Sequence, residues 1–335
     1  MSLLKVKNLT TSFTIDNESF IAVNDISFKL EKGEVLGIIG ESGSGKSVTA
    51  LSIMNLIPKS SAIIESGSIT LNGTELTQLS DEEICKIRGK DISIIFQEPM
   101  TALNPIFTIE KQIGEVLIIH NICSKGEIQH RIIDILSKLK IPNPKEFMKK
   151  YPFEISGGMR QRVVIAMAII CNPKIIIADE PTTALDVTTQ AEILDLLKDI
   201  MKIIGSSIIL ITHDLGVIAE MATKVAVMYR GRIIETCDAV EFFDNPKHPY
   251  SKGLINSMPS NFNSKNRFNS IKGNVPSLFE NISGCEFCNR CSNAMDICSC
   301  KSPKNINLVN NHIVRCLLYN ILENKSFHIE QRSDS

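Results

Sequence analysis

The run Gly40-Glu-Ser-Gly-Ser-Gly-Lys-Ser47 constrains this chain more than any other stretch, because it suits only one local geometry. It has the form G-x-x-x-x-G-K-[ST], a loop that wraps a phosphate group and opens a helix. Glu34 to Ile39 before it reads as a short strand, and Ser47 to Leu56 after it as a helix. The glycines let backbone N–H groups turn inward around phosphate oxygens, and the helix N-terminus adds partial positive charge. Lys46 then reaches the β- and γ-phosphates, and Ser47 offers its hydroxyl to Mg2+. Gly40, Glu41, Ser42, Gly43, Ser44, Gly45, Lys46, Ser47 and Val48 are the expected nucleotide contacts. The plainer reading, a glycine-rich turn that binds nothing, is disfavoured by the flanking strand and helix.

The partner of this loop lies downstream, at Ile175-Ile-Ile-Ala-Asp179-Glu180. An apolar strand ending in two carboxylates brings charge to the carboxyl edge of a sheet, where open α/β sheets bind ligands. Asp179 is expected to hold Mg2+, and Glu180 to orient and deprotonate the attacking water. Alone, Asp-Glu after an apolar run usually marks a solvated strand end. Together with the loop it indicates a nucleoside triphosphatase.

The remaining pattern supports an α/β fold. Residues 3 to 31 read as two strands joined by a polar turn at Asp16-Asn17-Glu18. Lys174 to Asp179 and Ser207 to Thr212 are apolar runs typical of strands buried on both faces, and Thr188 to Ile204 repeats apolar residues at helical spacing. Residues 100 to 155 carry mainly helical signals, including Thr108 to His120 and Glu127 to Leu139. Strands alternating with helices predict a parallel sheet covered on both sides. Ser257 to Val275, rich in Ser, Asn and Pro, reads as a linker.

Composition narrows the function. With 36 basic and 37 acidic residues the net charge is −1, which disfavours a nucleic-acid partner. No apolar run approaches the roughly 18 to 20 residues needed to cross a bilayer. Met1 to Thr10 is charged and lacks a signal-like apolar stretch, so the chain is expected in the cytoplasm.

Five ordered motifs then resemble the ABC transporter ATPases. The deciding stretch is Ile155-Ser156-Gly157-Gly158-Met159-Arg160-Gln161-Arg162, just upstream of the Asp-Glu strand. Two glycines and a serine open a helix near Met159, a second anion-binding helix end. The resemblance implies that Ser156, Gly157 and Gly158 meet the γ-phosphate held by another protomer. Gln97, in Ile95-Phe96-Gln97-Glu98-Pro99, is similar to the loop that senses Mg2+ and the attacking water, and that joins the core to the helical subdomain facing membrane subunits. Ala184-Leu185-Asp186 resembles the loop passing between protomers, and His213 the switch histidine at the γ-phosphate. Phe13 is the candidate for stacking on adenine, with Phe20 as runner-up.

Phe96 to Pro105, Asn245-Pro246-Lys247-His248-Pro249-Tyr250 and the Gly284-Cys285 to Cys298 run resemble the peptide-importer branch, whose relatives include nickel and glutathione importers. His248-Pro249-Tyr250 reads as a rigid turn before a helix and carries no expected chemistry.

Six of the ten cysteines (Cys285, Cys288, Cys291, Cys298, Cys300, Cys316) fall within 32 positions, which in a cytosolic chain suggests metal before disulfides. Cys285, Cys291, Cys298 and Cys316 stand at C-x5-C-x6-C-x17-C, enough thiolates for an iron–sulfur cluster or a structural zinc. In the peptide-importer branch these positions resemble the ligands of a [4Fe–4S] cluster. Cys288 adds a ferredoxin-like C-x2-C-x2-C run, and Cys300 could substitute for Cys298. A staple for a tail too poor in apolar residues to build a core is the expected role, with zinc or no metal as alternatives.

The expected organisation is therefore an ABC-type nucleotide-binding domain over 1–256, with a core parallel sheet, an antiparallel β segment and a helical subdomain over about 98–158, followed by a cysteine-rich extension over 257–335. The resemblance implies an ATP-hydrolysing subunit that powers import of di- or oligopeptides. Expected partners are a second ABC ATPase forming a heterodimer, two transmembrane permease subunits and an extracytoplasmic peptide-binding protein, with this chain peripheral on the cytoplasmic face. Another cargo is one alternative; a soluble non-transport ABC ATPase is another, disfavoured by the single cassette and balanced charge.

Overall fold

The computed structural model describes residues 2–16, 18–97, 102–183, 186–258 and 271–320. Among the described residues twelve strands form two sheets. β1 (Leu4–Ile15), β2 (Glu18–Leu30), β4 (Ala62–Leu71) and β5 (Thr74–Glu75) make an antiparallel sheet in the order β2-β1-β4-β5. The second sheet runs β11-β12-β10-β9-β3-β8-β7-β6. Its parallel part contains β3 (Val35–Ile39), β6 (Ile92–Ile95), β7 (Ile175–Asp179), β8 (Ser207–Thr212) and β9 (Lys224–Tyr229). Its antiparallel edge contains β10 (Arg232–Asp238), β11 (Ile306–Asn307) and β12 (Ile313–Val314).

The parallel strands are continuous apolar runs because both their faces are buried. Along β7, Ile176 and Ala178 enter one core while Ile175 and Ile177 enter another, and β3, β8 and β9 alternate in the same way. The first core lies under the helices and the second under the antiparallel sheet and helix Lys46–Ile53. A strand buried on one side only would show polar alternation instead.

The sheet is mixed where the sequence pattern predicts a parallel one. After β9 the chain turns at Arg230-Gly231, both with positive φ (47° and 78°), the two-residue I′ geometry that returns β10 antiparallel.

Helices Ile109–Ile119, Ile128–Lys138 and Pro144–Phe147 form the helical region, packed through Ile113, Leu117, Ile132 and Leu136. The buried Gln112 side chain ties its entry loop, donating to the Asn104 and Phe107 carbonyls at 3.0 and 2.9 Å. No helix among the described residues is long and apolar enough to cross a membrane.

Residues of the extension join the main body. β12 pairs with β10, and Phe287 lies 5.3 Å from both Tyr229 and Tyr250 in the core. The extension's own cluster of buried apolar groups is small: Ile306, Val314 and Cys316. Residues 259–270, most of the expected linker, lie outside the described residues, as do Glu98 to Thr101 and Ala184-Leu185.

Candidate functional site

The phosphate loop occupies the gap between β3 and helix Lys46–Ile53. Two glycines are required by close approach. A Cβ at Gly40 would stand 2.2 Å from the Met228 carbonyl oxygen, and one at Gly45 (φ 101°) 2.6 Å from that of Ala22. Lys46 is buried, and its Nζ donates to the carbonyls of Gly40 (2.8 Å) and Glu41 (3.0 Å). Burial lowers its pKa, opposed by the charges of Glu180, Asp179 and Glu41. The loop borders a cavity of about 740 Å³, which Phe13, Phe20, residues 41–48, Gln97, Glu180, Thr183, His213 and Leu278 line. Phe13 and Phe20 are direct cross-strand partners, stacked at 5.9 Å with planes 16° apart.

The two carboxylates differ in environment. Asp179 ends β7, where burial pushes its carboxyl above the usual range and a Ser47 hydrogen bond opposes this. Its Oδ1 is buried with no hydrogen-bond partner. Such an atom beside a serine hydroxyl is a hard oxygen donor set, which fits Mg2+. Glu180 takes a positive φ of 48°, rare for a residue with a Cβ. Its Oε2 accepts from Gln97 Nε2 and Thr183 Oγ1, both at 2.9 Å, and its Oε1 lies 3.0 Å from His213 Nδ1. Burial would raise the Glu180 pKa, but the His213 and Thr183 hydrogen bonds, with the charges of His213 and Lys46, bring it below the usual value.

Lys46, Gln97, Glu180 and His213 thus converge on one cavity from four separate segments of the chain. Ser156, Gly157, Gly158 and Asp186 do not line it. Ser156 caps helix Gly157–Ile169, accepting from Met159 N at 3.4 Å, so the helix starts two residues before the expected Met159. A Cβ at Gly158 would meet Thr189 Cγ2 at 2.9 Å. Asp186 caps helix Val187–Ile204 through Thr189 N at 3.0 Å. A buried Gln161 side chain joins this second surface to the first, donating to the Pro181 carbonyl at 2.7 Å.

Comparisons with known proteins agree with this geometry. The ABC transporter family profile matches residues 23–183, and that of the oligopeptide/dipeptide transporter C-terminal region matches 234–298. The oligopeptide transport ATP-binding protein AppD of Bacillus subtilis is 47% identical, over 95% of this chain and 97% of its own length. The dipeptide transport ATP-binding protein DppD of the same organism is 49% identical, over 94% of each chain. The chain belongs to the ABC transporter ATPases. Among solved ABC structures, the dimeric ATP-binding cassette MJ0796 bound to ADP and Pi superposes with a TM-score of 0.63 at 29% identity, covering 70% of this chain and 98% of that one.

In the tail of this ABC ATPase several cysteines lie near enough to act on one another electrostatically. Cys285 N donates to the Cys298 carbonyl at 2.8 Å. The Cys285 thiol is pushed up to about 12 and Cys316 to about 11, mainly by burial, with neighbouring tail thiols among the smaller contributions. Cys291 is raised in the same way, by burial and then by Cys298 and Cys288. Cys298 is buried, whereas Cys300 is exposed and turns its Sγ towards the Ile297 carbonyl at 3.5 Å. A tetrahedral zinc with bonds near 2.3 Å would hold its thiolates about 3.8 Å apart. Among the described residues, the group of three or more such side chains whose ligand atoms all lie within 4.8 Å is Glu235, Cys237 and His312, not the tail cysteines. Zinc spacing is therefore absent from the described tail.

Several residues at this ABC site carry no sequence motif that singles them out. Thr183 holds Glu180, Tyr250 accepts from the Glu41 backbone N–H at 2.9 Å, and Leu278 enters the cavity from the extension. Tyr250 was legible as part of the His-Pro-Tyr turn, with His248 capping helix Pro249–Asn256, but its contact is long-range.

Proposed function

We propose that this chain is the ATP-hydrolysing subunit of an ABC importer of di- or oligopeptides. The observation that carries this reading is the Glu180 carboxylate, held on both oxygens where it lines the phosphate-loop cavity, in a chain that matches a peptide-transport relative over 95% of its length. Phe13 stacks on adenine, and the inward N–H groups of residues 40–48 with the Lys46 ammonium hold the phosphates. Mg2+, when bound by Ser47, Asp179 and Gln97, neutralises charge that develops on the phosphate oxygens. Glu180 accepts a proton from the water that attacks the γ-phosphorus. His213 and Gln97 hold that carboxylate in place, and positioning supplies most of the rate.

The Ser156-Gly157-Gly158 helix end and Asp186 do not line this cavity, which supports their service to a nucleotide on a second ATPase subunit. The working unit is a heterodimer on the cytoplasmic face, bound to two permease subunits and supplied by an extracytoplasmic peptide-binding protein. Residues 1–256 form the cassette, with the helical subdomain at about 98–158, and 257–335 the extension. Cys285, Cys291, Cys298 and Cys316 would hold a [4Fe–4S] cluster that staples it. Peptide uptake by cells carrying wild type or Lys46→Ala tests the whole reading. Uptake of labelled di- and oligopeptides should vanish in the variant, and unchanged uptake, or loss only of nickel or glutathione uptake, would overturn the peptide assignment.

A further inference from the structure

Glu41 is the second residue of the phosphate loop, and three groups hold it. Its backbone N–H donates to the Tyr250 hydroxyl (2.9 Å), its carbonyl accepts from Lys46 Nζ (3.0 Å), and its carboxylate takes both arms of the Arg290 guanidinium (2.5 and 2.9 Å). Arg290 lies between Cys288 and Cys291 of the extension. Its side chain is 5% exposed, and its Nε donates to the Lys272 carbonyl at 3.1 Å. The same extension reaches the other end of the cavity. Leu278 lines it, and Phe279 packs at 4.8 Å on Phe20, which is stacked on Phe13. Arg230 anchors this segment through the carbonyls of Pro276, Ser277 and Glu280.

A carboxylate in a loop that must receive a triphosphate is electrostatically unfavourable, because like charges in a partly buried site repel with little screening. Glu41 borders the cavity and acts on Lys46, so its charge is felt where the phosphates bind. A two-armed, covered guanidinium is the geometry that cancels a carboxylate and also fixes its direction. We propose that the C-terminal extension contributes to the nucleotide site: Arg290 neutralises Glu41 and positions the phosphate loop, and Phe279 backs the aromatic wall behind the base. Nucleotide affinity then depends on the extension being docked. This rests on the reading of the cavity as the ATP site. A purely structural Arg290 would pin the extension without regard to the charge on residue 41.

Calorimetric binding of Mg-ATP and of inorganic tripolyphosphate, which lacks a base, to the full-length chain separates these ideas. Arg290→Gln should weaken both ligands about tenfold, because it leaves the Glu41 carboxylate uncompensated beside the phosphates. Combining it with Glu41→Gln should restore most of the loss. Arg290→Lys, which keeps the charge but not the fork, should fall between wild type and Arg290→Gln. Phe279 is about half exposed and its truncation should be tolerated by the fold. Phe279→Ala should weaken ATP severalfold and leave tripolyphosphate unchanged. Wild-type affinity in Arg290→Gln, or a double variant as weak as the single one, would overturn the charge role. Equal effects of Phe279→Ala on both ligands, or none on either, would overturn the aromatic role. Failure of the wild type to bind ATP would instead sink the underlying functional reading.

Discussion

His213 Nδ1 stands 3.0 Å from Glu180 Oε1, and this contact closes a clamp whose other jaw is Gln97 and Thr183 on Oε2. The three clamp residues lie on three loops at the carboxyl edge of one sheet, beyond β6, β7 and β8. A carboxylate gripped on both oxygens cannot swing away, which is what a base aimed at one water molecule needs.

Glu180→Gln keeps the size and most of the hydrogen-bonding shape but removes the proton acceptor. ATP hydrolysis should fall by about 100- to 10,000-fold while ATP still binds. Gel filtration with Mg-ATP should then show an accumulated ATPase dimer. Turnover within about tenfold of wild type would remove Glu180 from the role of base.

The pH dependence follows from the same clamp. Burial alone would raise the Glu180 pKa, and the His213 hydrogen bond is the foremost of the contributions that overcome it. The carboxylate therefore stays ionised at neutral pH, and its contribution to hydrolysis is lost only as pH falls through the lowered pKa. Removing the clamp in His213→Ala should move the acid limb of kcat to higher pH and lower the plateau. An unmoved limb would show that His213 does not hold the base.

Where the extension meets the core, His312 Nε2 lies 2.6 Å from Glu235 Oε1, both side chains being buried. Burial disfavours the Glu235 anion, but His312 foremost and the Lys247 and His248 N–H groups outweigh it and hold the carboxyl below its usual pKa. A lowered folded-state pKa stabilises above the unfolded carboxylate range and is lost as pH falls through the folded value. His312→Ala should cost about 2 kcal/mol at neutral pH, less than a full buried-ion loss because two backbone donors remain. Thermal melts should show that difference shrinking in acid, with hydrogen exchange of β12 rising first.

Metal analysis of protein purified without oxygen tests the cysteine cluster. About four iron and four sulfide per chain are expected. Cys298→Ser should abolish that content and Cys300→Ser should leave it, because Cys298 is buried and Cys300 is exposed. Stoichiometric zinc, or retention of iron in Cys298→Ser, would contradict the ligand set.

The strands around the site were legible because each is a short run of Ile, Val or Leu ended by polar residues, and the loop after β3 has one workable geometry. The I′ turn at Arg230-Gly231 was not anticipated. Its first residue is an arginine at positive φ, and no local preference of arginine announces that. Cys298 was the expected ligand and Cys300 its possible substitute, and burial of Cys298 within helix Asp296–Cys300 with exposure of Cys300 separates them.

By itself the sequence determined the nucleotide-binding family: the phosphate loop is a local pattern, and the paired carboxylates and the histidine after β8 take their meaning from standing in order with it. Only tertiary structure decided which distant side chains complete the site. Arg290 meets Glu41 across 249 residues, and Tyr250 meets the same residue across 209. Contacts of that kind depend on how two cores and an extension pack, which no local periodicity encodes.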